Sequence, residues 1–233
     1  MEAIILAGGK GTRLRSVVSD LPKPMAPLDA AGTPFLTFLL GELKAQGVTR
    51  VVLSVGYKAE CIVNYFGNEW QGVELVYAKE DEPLGTGGAL KLALSFCKDE
   101  NVFVFNGDTF FDVKLAEMEK FHLAEEADLT LAAKEMTDFD RYGTLALDGS
   151  RVNAFKEKAP CRRGFINGGI YLVRRELFGG FEEEKFSFEQ DFLMPRVEAG
   201  RAKLCAFKSE GYFIDIGIPE DYYRAQKELK LRK

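Results

Sequence analysis

Apolar residues fall along this chain in two alternating rhythms. Ala3 to Ala7, Arg50 to Val55, Val73 to Tyr77 and Val102 to Phe105 are short runs rich in β-branched and aromatic residues, the pattern of strands buried on both faces. Between and after them the apolar positions recur at helical spacing. Phe35, Leu36, Leu39, Leu40 and Leu43 form one such stripe, with Thr33 as an N-cap candidate and Pro34 in the first turn. Ala89 to Phe96 and Leu115 to Glu126 read the same way. Strands alternating with helices imply a mostly parallel sheet joined by right-handed crossovers.

After Asp128 the texture changes. Leu129 to Ala133, Tyr142 to Leu147, Arg151 to Glu157 and Phe165 to Val173 read as strands separated only by turns, which adds antiparallel strands and makes the sheet mixed. Ser187 to Glu198 and Pro219 to Leu231 read as closing helices. The last carries Glu220 and Asp221 early and Lys227, Lys230 and Arg232 late, matching its dipole. With no linker, repeat or low-complexity stretch, the expectation is one α/β domain: a Rossmann-like, mixed, mostly parallel central sheet flanked by helices.

Composition narrows the chemistry. The 233 residues are 46% hydrophobic, enough for a sizeable core, and the net charge of −5 without a run of like charges argues against nucleic acid or a membrane surface as partner. Any phosphate site must therefore be local. Cys61, Cys97, Cys161 and Cys205 form no CxxC pair and share the chain with one histidine, His122, so zinc spacing is absent and reduced thiols are expected. No transmembrane stretch or signal peptide is read, and the expected location is cytoplasmic. His122, in a charged helical stretch without a recognisable partner, is assigned no chemistry.

The first strand runs into Leu6-Ala7-Gly8-Gly9-Lys10-Gly11-Thr12-Arg13-Leu14. In open α/β sheets, ligands bind beyond the carboxyl ends of strands, and bare glycine amides there can approach phosphate oxygens. Two familiar phosphate loops fail: GxGxxG has Leu14 where its last glycine should be, and the Walker pattern has Gly11 after Lys10 instead of Ser or Thr. Together with Pro22-Lys23-Pro24, however, the segment resembles the signature of the sugar-1-phosphate nucleotidyltransferases. The resemblance implies that Leu6, Ala7, Gly8, Gly9, Gly11 and Thr12 wrap a nucleoside triphosphate while Arg13 and Lys23 hold its phosphates as the catalytic cations. Arg15-Ser16-Val17-Val18 replaces the Pro-Leu-Thr run of many relatives, with the spacing kept.

Further segments continue the resemblance. Asn106-Gly107-Asp108 and Phe213-Ile214-Asp215-Ile216-Gly217 are similar to the family's two aspartate motifs, which implies Asp108 and Asp215 as joint ligands of Mg²⁺, a hard cation suited to carboxylates beside phosphates. "EDEPLGTGG", Glu80 to Gly88, is similar to the base-recognition loop. It implies Gly85 and Thr86 beside the nucleobase and Glu80 at the discriminating position, where a carboxylate accepts the N1 and N2 protons of guanine. Phe155-Lys156-Glu157-Lys158 resembles the sugar-phosphate element, with Ala159 in place of the usual proline; it implies Glu157 on sugar hydroxyls and Lys158 on the phosphate. Tyr142-Gly143 and Asn167-Gly168-Gly169 resemble the turns of the sugar pocket, implying Gly143, Asn167 and Gly168. Ser187-Phe188-Glu189-Gln190 fits an S-x-x-Q capping box, so Glu189 reads as a helix-start residue in preference to a sugar ligand.

The implied reaction is in-line attack of a sugar 1-phosphate on the α-phosphorus of a nucleoside triphosphate, GTP by the Glu80 reading. The resemblance runs from Ala3 to about Ala225, with a nucleotide-binding part at about 1–125 and a sugar-phosphate-binding part at about 126–233. No C-terminal β-helix region follows, implying a minimal catalytic unit. Its motifs are most similar to the branch that uses heptose 1-phosphate and GTP. Branches using mannose 1-phosphate with GTP, or N-acetylmuramate 1-phosphate with UTP, stay open, as do a non-catalytic nucleotide sensor and a homo-oligomer.

Overall fold

The computed structural model describes residues 1–9, 14, 17–18 and 20–229. Strands β1 (Glu2–Leu6), β2 (Arg50–Val55), β4 (Val73–Lys79) and β5 (Asn101–Asn106) lie parallel in the order β4-β2-β1-β5. Helices α1 (Phe35–Ala45), α2 (Ala59–Phe66) and α3 (Gly85–Leu94) lie in the connections between them. The two-residue β3 (Glu69–Trp70) borders β4 antiparallel at the edge. Beyond β5 the sheet continues with β10 (Cys161–Arg174), β7 (Leu129–Phe139), β11 (Leu204–Ser209), β9 (Arg151–Lys158) and β8 (Gly143–Asp148). Here antiparallel pairs dominate, with β11 running parallel to β7. A separate two-stranded ribbon joins β6 (Thr109–Phe111) to β12 (Phe213–Asp215).

Period-two alternation sorts the strands' side chains into two cores. Ile5, Leu53 and Phe103 face one side with Phe35, Leu36 and Leu40 of α1, where α4 (Leu115–Ala124) and α6 (Pro219–Glu228) also pack. Ile4, Val52 and Val104 face the other with Leu90 of α3 and an aromatic cluster around Phe178, Phe186 and Phe192. Each core covers one face of the same strands. The continuous apolar runs of β1, β2 and β5 follow from this double burial.

Several expectations are corrected. Strands β7 and β10 are longer than their apolar stretches because they pair with each other far past the core, out to Cys161 opposite Phe139. Thr33 does not cap α1: its N–H donates to Asp29 Oδ1 at 2.9 Å in a preceding turn, and Pro34 holds the N-cap position. The Ser187 helix opens as a π-helical turn, Phe188–Leu193, before α5 (Met194–Glu198). Ser187 Oγ accepts from the Gln190 N–H at 3.2 Å, but the reciprocal acceptor for the Ser187 N–H is Asp191 Oδ2 at 2.6 Å, one residue later than a capping box places it. His122 is buried, with Nδ1 2.8 Å from Thr130 Oγ1, and burial holds its pKa below the usual histidine range. Helix α6 ends at Glu228; Lys230 and Arg232 lie outside the described residues. No helix among the described residues is long and apolar enough to cross a membrane.

The carboxyl ends of β1, β2, β4 and β5 share one edge, with Leu6 level with both Ser54 and Asn106 and Val55 level with Lys79. At that edge the Gly107 N–H donates to the Leu6 carbonyl at 3.0 Å, and a Cβ on Gly107 would stand 2.5 Å from that oxygen. Backbone cannot yield there as a flexible side chain would. Gly107→Ala is therefore expected to destabilise the fold by about 2 kcal/mol, as overpacking does, lowering the melting temperature by roughly 4–8 °C. Thermal denaturation followed by circular dichroism checks this.

Candidate active site

The edge opens into a cleft of about 770 Å³. Its walls are the ends of the parallel strands and the turns that leave them: Leu6 to Gly9 from β1, Ser54, Gly56 and Tyr57 from β2, Glu80 to Pro83 after β4, and Asn106 to Asp108 from β5. Gly85, Thr86 and Ala89 of α3 and Lys23 with Pro24 complete it. Among the described residues, Leu6, Ala7, Gly8, Gly9, Lys23, Glu80, Gly85, Thr86 and Asp108 thus come together as the sequence leads one to expect. Gly11, Thr12 and Arg13 lie outside the described residues.

Backbone bonds fix the start of the glycine loop. The Ala7 N–H donates to the Ser54 carbonyl at 2.8 Å and the Tyr57 N–H to the Gly8 carbonyl at 3.4 Å, which docks the loop on the end of β2. Glu80 does two jobs. Its Oε2 accepts the Leu84 N–H at 2.9 Å, shaping the turn, while its Oε1 lies where a Cβ on Gly8 would come within 2.6 Å. Gly85 adopts φ +72°, and bare Gly85, Gly87 and Gly88 let α3 press on residues 184–186: a Cβ on Gly87 would sit 2.2 Å from the Phe186 ring. Thr86 Oγ1 accepts the Phe188 N–H at 2.9 Å, tying this loop to the π-helical turn.

Lys23 sits on a short 3₁₀ turn, Lys23–Met25, entered through Pro22 at φ −64°. Prolines on both sides restrict that backbone, so the ammonium moves by side-chain rotation alone. Its Nζ stands 2.7 Å from Asp108 Oδ2. Asp215 is brought beside Asp108 by the ribbon, where Asp215 pairs with Thr109 and the Ile216 N–H donates to the Asp108 carbonyl at 2.9 Å. Burial and the neighbouring Asp108 charge push the Asp215 carboxyl above the usual aspartate range, against the opposing pull of the Gly217 N–H at 2.6 Å and of Lys23 and Arg141. Two neighbouring carboxylates form a donor set that fits a hard divalent cation. No group of three or more histidine, cysteine or acidic ligands occurs among the described residues. Phosphate oxygens and water must then supply the remaining coordination positions.

The sugar-side residues are not among those that line the cleft. Glu157 and Lys158 are exposed at the end of β9, where Lys158 pairs with Gly143. Gly143 has no room for a side chain, since its Cβ would lie 2.4 Å from the Lys156 carbonyl. The adjoining Tyr142 stacks edgewise on Phe213, and its hydroxyl's pKa is raised by burial and then by the Asp215 charge, placing this turn next to the carboxylate pair. Arg141 reaches the Tyr142 hydroxyl at 3.1 Å and pairs with Asp221 of α6. Asn167, Gly168 and Gly169 form an irregularity of β10 against β7, with Gly168 facing Phe111 and Gly169 turned at φ +73° against Asn106 in the cleft wall.

Glu189 sits in the first turn of the helix that Ser187 caps, as expected, and its side chain is also engaged across to β10. Its Oε1 accepts from Asn167 Nδ2 and from the Tyr171 hydroxyl, both at 2.6 Å, while Asn167 Oδ1 takes the Gly169 N–H at 3.1 Å. The capping pattern hid this inward turn. Asn106, Ser54 and Tyr57 also line the cleft without having been singled out; their position at the carboxyl ends of β5 and β2 was the available signal.

Residues 2–231 match the family described as "Nucleotidyl transferase". The chain belongs to the nucleotidyl transferase family. It is 54% identical over 231 residues, 99% of both chains, to the D-glycero-alpha-D-manno-heptose 1-phosphate guanylyltransferase of Aneurinibacillus thermoaerophilus. To the protein of the same name from Campylobacter jejuni subsp. jejuni it is 49% identical over 225 residues, covering 96% of this chain and 97% of that one. Among solved structures, HddC from Yersinia pseudotuberculosis complexed with GMP-PN superimposes with a TM-score of 0.87 at 40% identity, covering 98% of this chain and 99% of that one. Nucleotidyl transferases of this family generally use a divalent metal ion.

The raised pKa of Asp215 has a sign that can be checked. The folded state holds that proton more firmly than the unfolded chain does, so Asp215's contribution to stability is largest in acid and is lost as pH rises through its elevated pKa. At neutral pH, Asp215→Asn is expected to stabilise the nucleotide-free protein by roughly 1 kcal/mol, the scale on which active-site residues oppose stability. Paired melting curves at pH 5 and pH 8 should show the larger gain at pH 8.

Proposed function

We propose that the protein transfers the guanylyl group of GTP to D-glycero-α-D-manno-heptose 1-phosphate, giving the GDP-sugar and pyrophosphate. The observation that carries this reading is the 54% identity, across essentially all of both chains, with a heptose 1-phosphate guanylyltransferase. The GMP-PN complex of the similar HddC supports a guanine nucleotide, and the cleft supports a triphosphate, with bare backbone, Lys23 and two carboxylates at one sheet edge.

In this reading Leu6, Ala7 and the glycine loop from Gly8 to Thr12 wrap the triphosphate, and Glu80, Gly85 and Thr86 hold the base. Glu157, Lys158, Gly143, Asn167 and Gly168 take the sugar phosphate. The nucleotide part covers about 1–125 and the sugar-phosphate part about 126–233. A phosphate monoester has its second pKa near ~6, so the attacking oxygen is largely deprotonated at neutral pH and no general base is needed. That oxygen forms a bond to the α-phosphorus as the bond to the bridging oxygen breaks, and pyrophosphate leaves with the electron pair. Lys158 holds the nucleophile in line, and Arg13 and Lys23 neutralise charge on the transferring and leaving phosphates. Asp108 and Asp215 would hold Mg²⁺, which adds positive charge beside the same phosphates. Consumption of GTP and four free cysteines suit a reducing cytoplasm.

Pyrophosphate release tests the reading, with GTP, UTP, CTP, ATP and dTTP crossed against heptose, mannose, glucose and N-acetylmuramate 1-phosphates in Mg²⁺. GTP with heptose 1-phosphate is expected to give the highest kcat/KM; a higher value for another pair refutes the assigned specificity. Lys23→Met and Arg13→Ala should each lower kcat about 100-fold or more, the scale seen on removing one group that stabilises transition-state charge. Their effect on nucleotide affinity should be smaller, as equilibrium titration with a non-hydrolysable GTP analogue would show.

A further inference from the structure

Lys23 and Asp108 hold each other in an ion pair, although the proposed reaction needs each of them elsewhere. The ammonium lies 2.7 Å from Asp108 Oδ2, with the lysine side chain 14% exposed and the aspartate 32%. The β6–β12 ribbon sets Asp215 opposite Thr109 and next to Asp108, whose carbonyl accepts the Ile216 N–H at 2.9 Å, and the Asp108 charge is felt at the Asp215 carboxyl. Neighbouring like charges are eased by a counter-ion, and Lys23, 2.7 Å from Asp108 Oδ2, is placed as one. A divalent ion arriving alone would have to displace an ammonium that is hydrogen-bonded to one of its own ligands, leaving Lys23 beside the incoming charge without a partner. A metal-bound triphosphate changes the balance, because its oxygens offer the same ammonium a new anion in the same cleft. The backbone of the turn is restricted by Pro22 and Pro24, and Pro24 packs close to Gly107, so only the lysine side chain has to swing.

We propose that Lys23 is the resident counter-ion of Asp108 in the empty enzyme, keeping divalent metal off the carboxylate pair until a triphosphate draws the ammonium onto its own oxygens. Metal and nucleotide then enter together, and binding of one is coupled to binding of the other through a single side chain. The inference rests on the reading of Asp108 and Asp215 as metal ligands.

Binding of Mn²⁺ alone, read from the electron paramagnetic resonance signal of the free ion and from melting temperature, tests it without turnover. Wild-type protein should bind Mn²⁺ weakly and gain little melting temperature from it. Lys23→Met and Lys23→Gln should bind it at least tenfold more tightly and melt higher in its presence, and adding Asp108→Asn to Lys23→Met should abolish the gain. With a non-hydrolysable GTP analogue present, wild type should bind Mn²⁺ tightly. The two Lys23 variants differ in shape and polarity, so a folding defect in one leaves the other to decide. Wild type binding Mn²⁺ alone as tightly as both variants would overturn the counter-ion role while leaving the metal ligands in place. Absence of Mn²⁺ binding in every protein, even with the analogue, would overturn the metal reading and the counter-ion role with it.

Discussion

The site depends on how closely the ends of β1 and β5 approach each other. The Gly107 N–H meets the Leu6 carbonyl where a Cβ on Gly107 would clash with that oxygen. This contact extends the pairing of Leu6 with Asn106 by one step and sets the glycine loop and Asp108 side by side. Parallel strands have their carboxyl ends on one edge by construction, so each turn leaving that edge can contribute to the same cavity. Both faces of the strands are packed with apolar side chains, which leaves the edge as the place where polar backbone and charge can gather.

Charge distribution then separates two kinds of surface. Among the described residues, the part of the cleft beside β1 is glycine backbone with the Lys23 ammonium facing it. The opposite partner enters through a ribbon outside the main sheet, which carries Asp215 to Asp108. Arg141 and Tyr142 lock that ribbon to α6, and the Tyr222 hydroxyl donates to the Pro27 carbonyl at 2.5 Å, binding α6 to the segment that follows Lys23. The carboxylate pair and the lysine are consequently held from two directions by one helix.

The parts legible in the sequence were those written in local chemistry. Bare glycines after an apolar run, a lysine between prolines and an aspartate at a strand's end each announce a backbone or charge requirement without reference to distant residues. The hidden parts depend on partners far along the chain. Strands β6 and β12 are three residues each and exist because they pair with one another, so neither has a periodicity of its own. S-x-x-Q located Glu189 at a helix start but was silent on its side chain, whose partners Asn167 and Tyr171 come from β10. His122 shows no recognisable partner in its own helical stretch; β7 delivers Thr130 beside it.

Asp215 follows every strand of the ten-stranded sheet in chain order, yet its partner Asp108 belongs to the first half. Synthesis from the amino terminus therefore makes the segments that line the cleft, Leu6 to Asp108, well before the second carboxylate, and domains can begin to fold while the chain is still growing. A nascent chain can thus hold every segment that lines the cleft while its second carboxylate has still to be made.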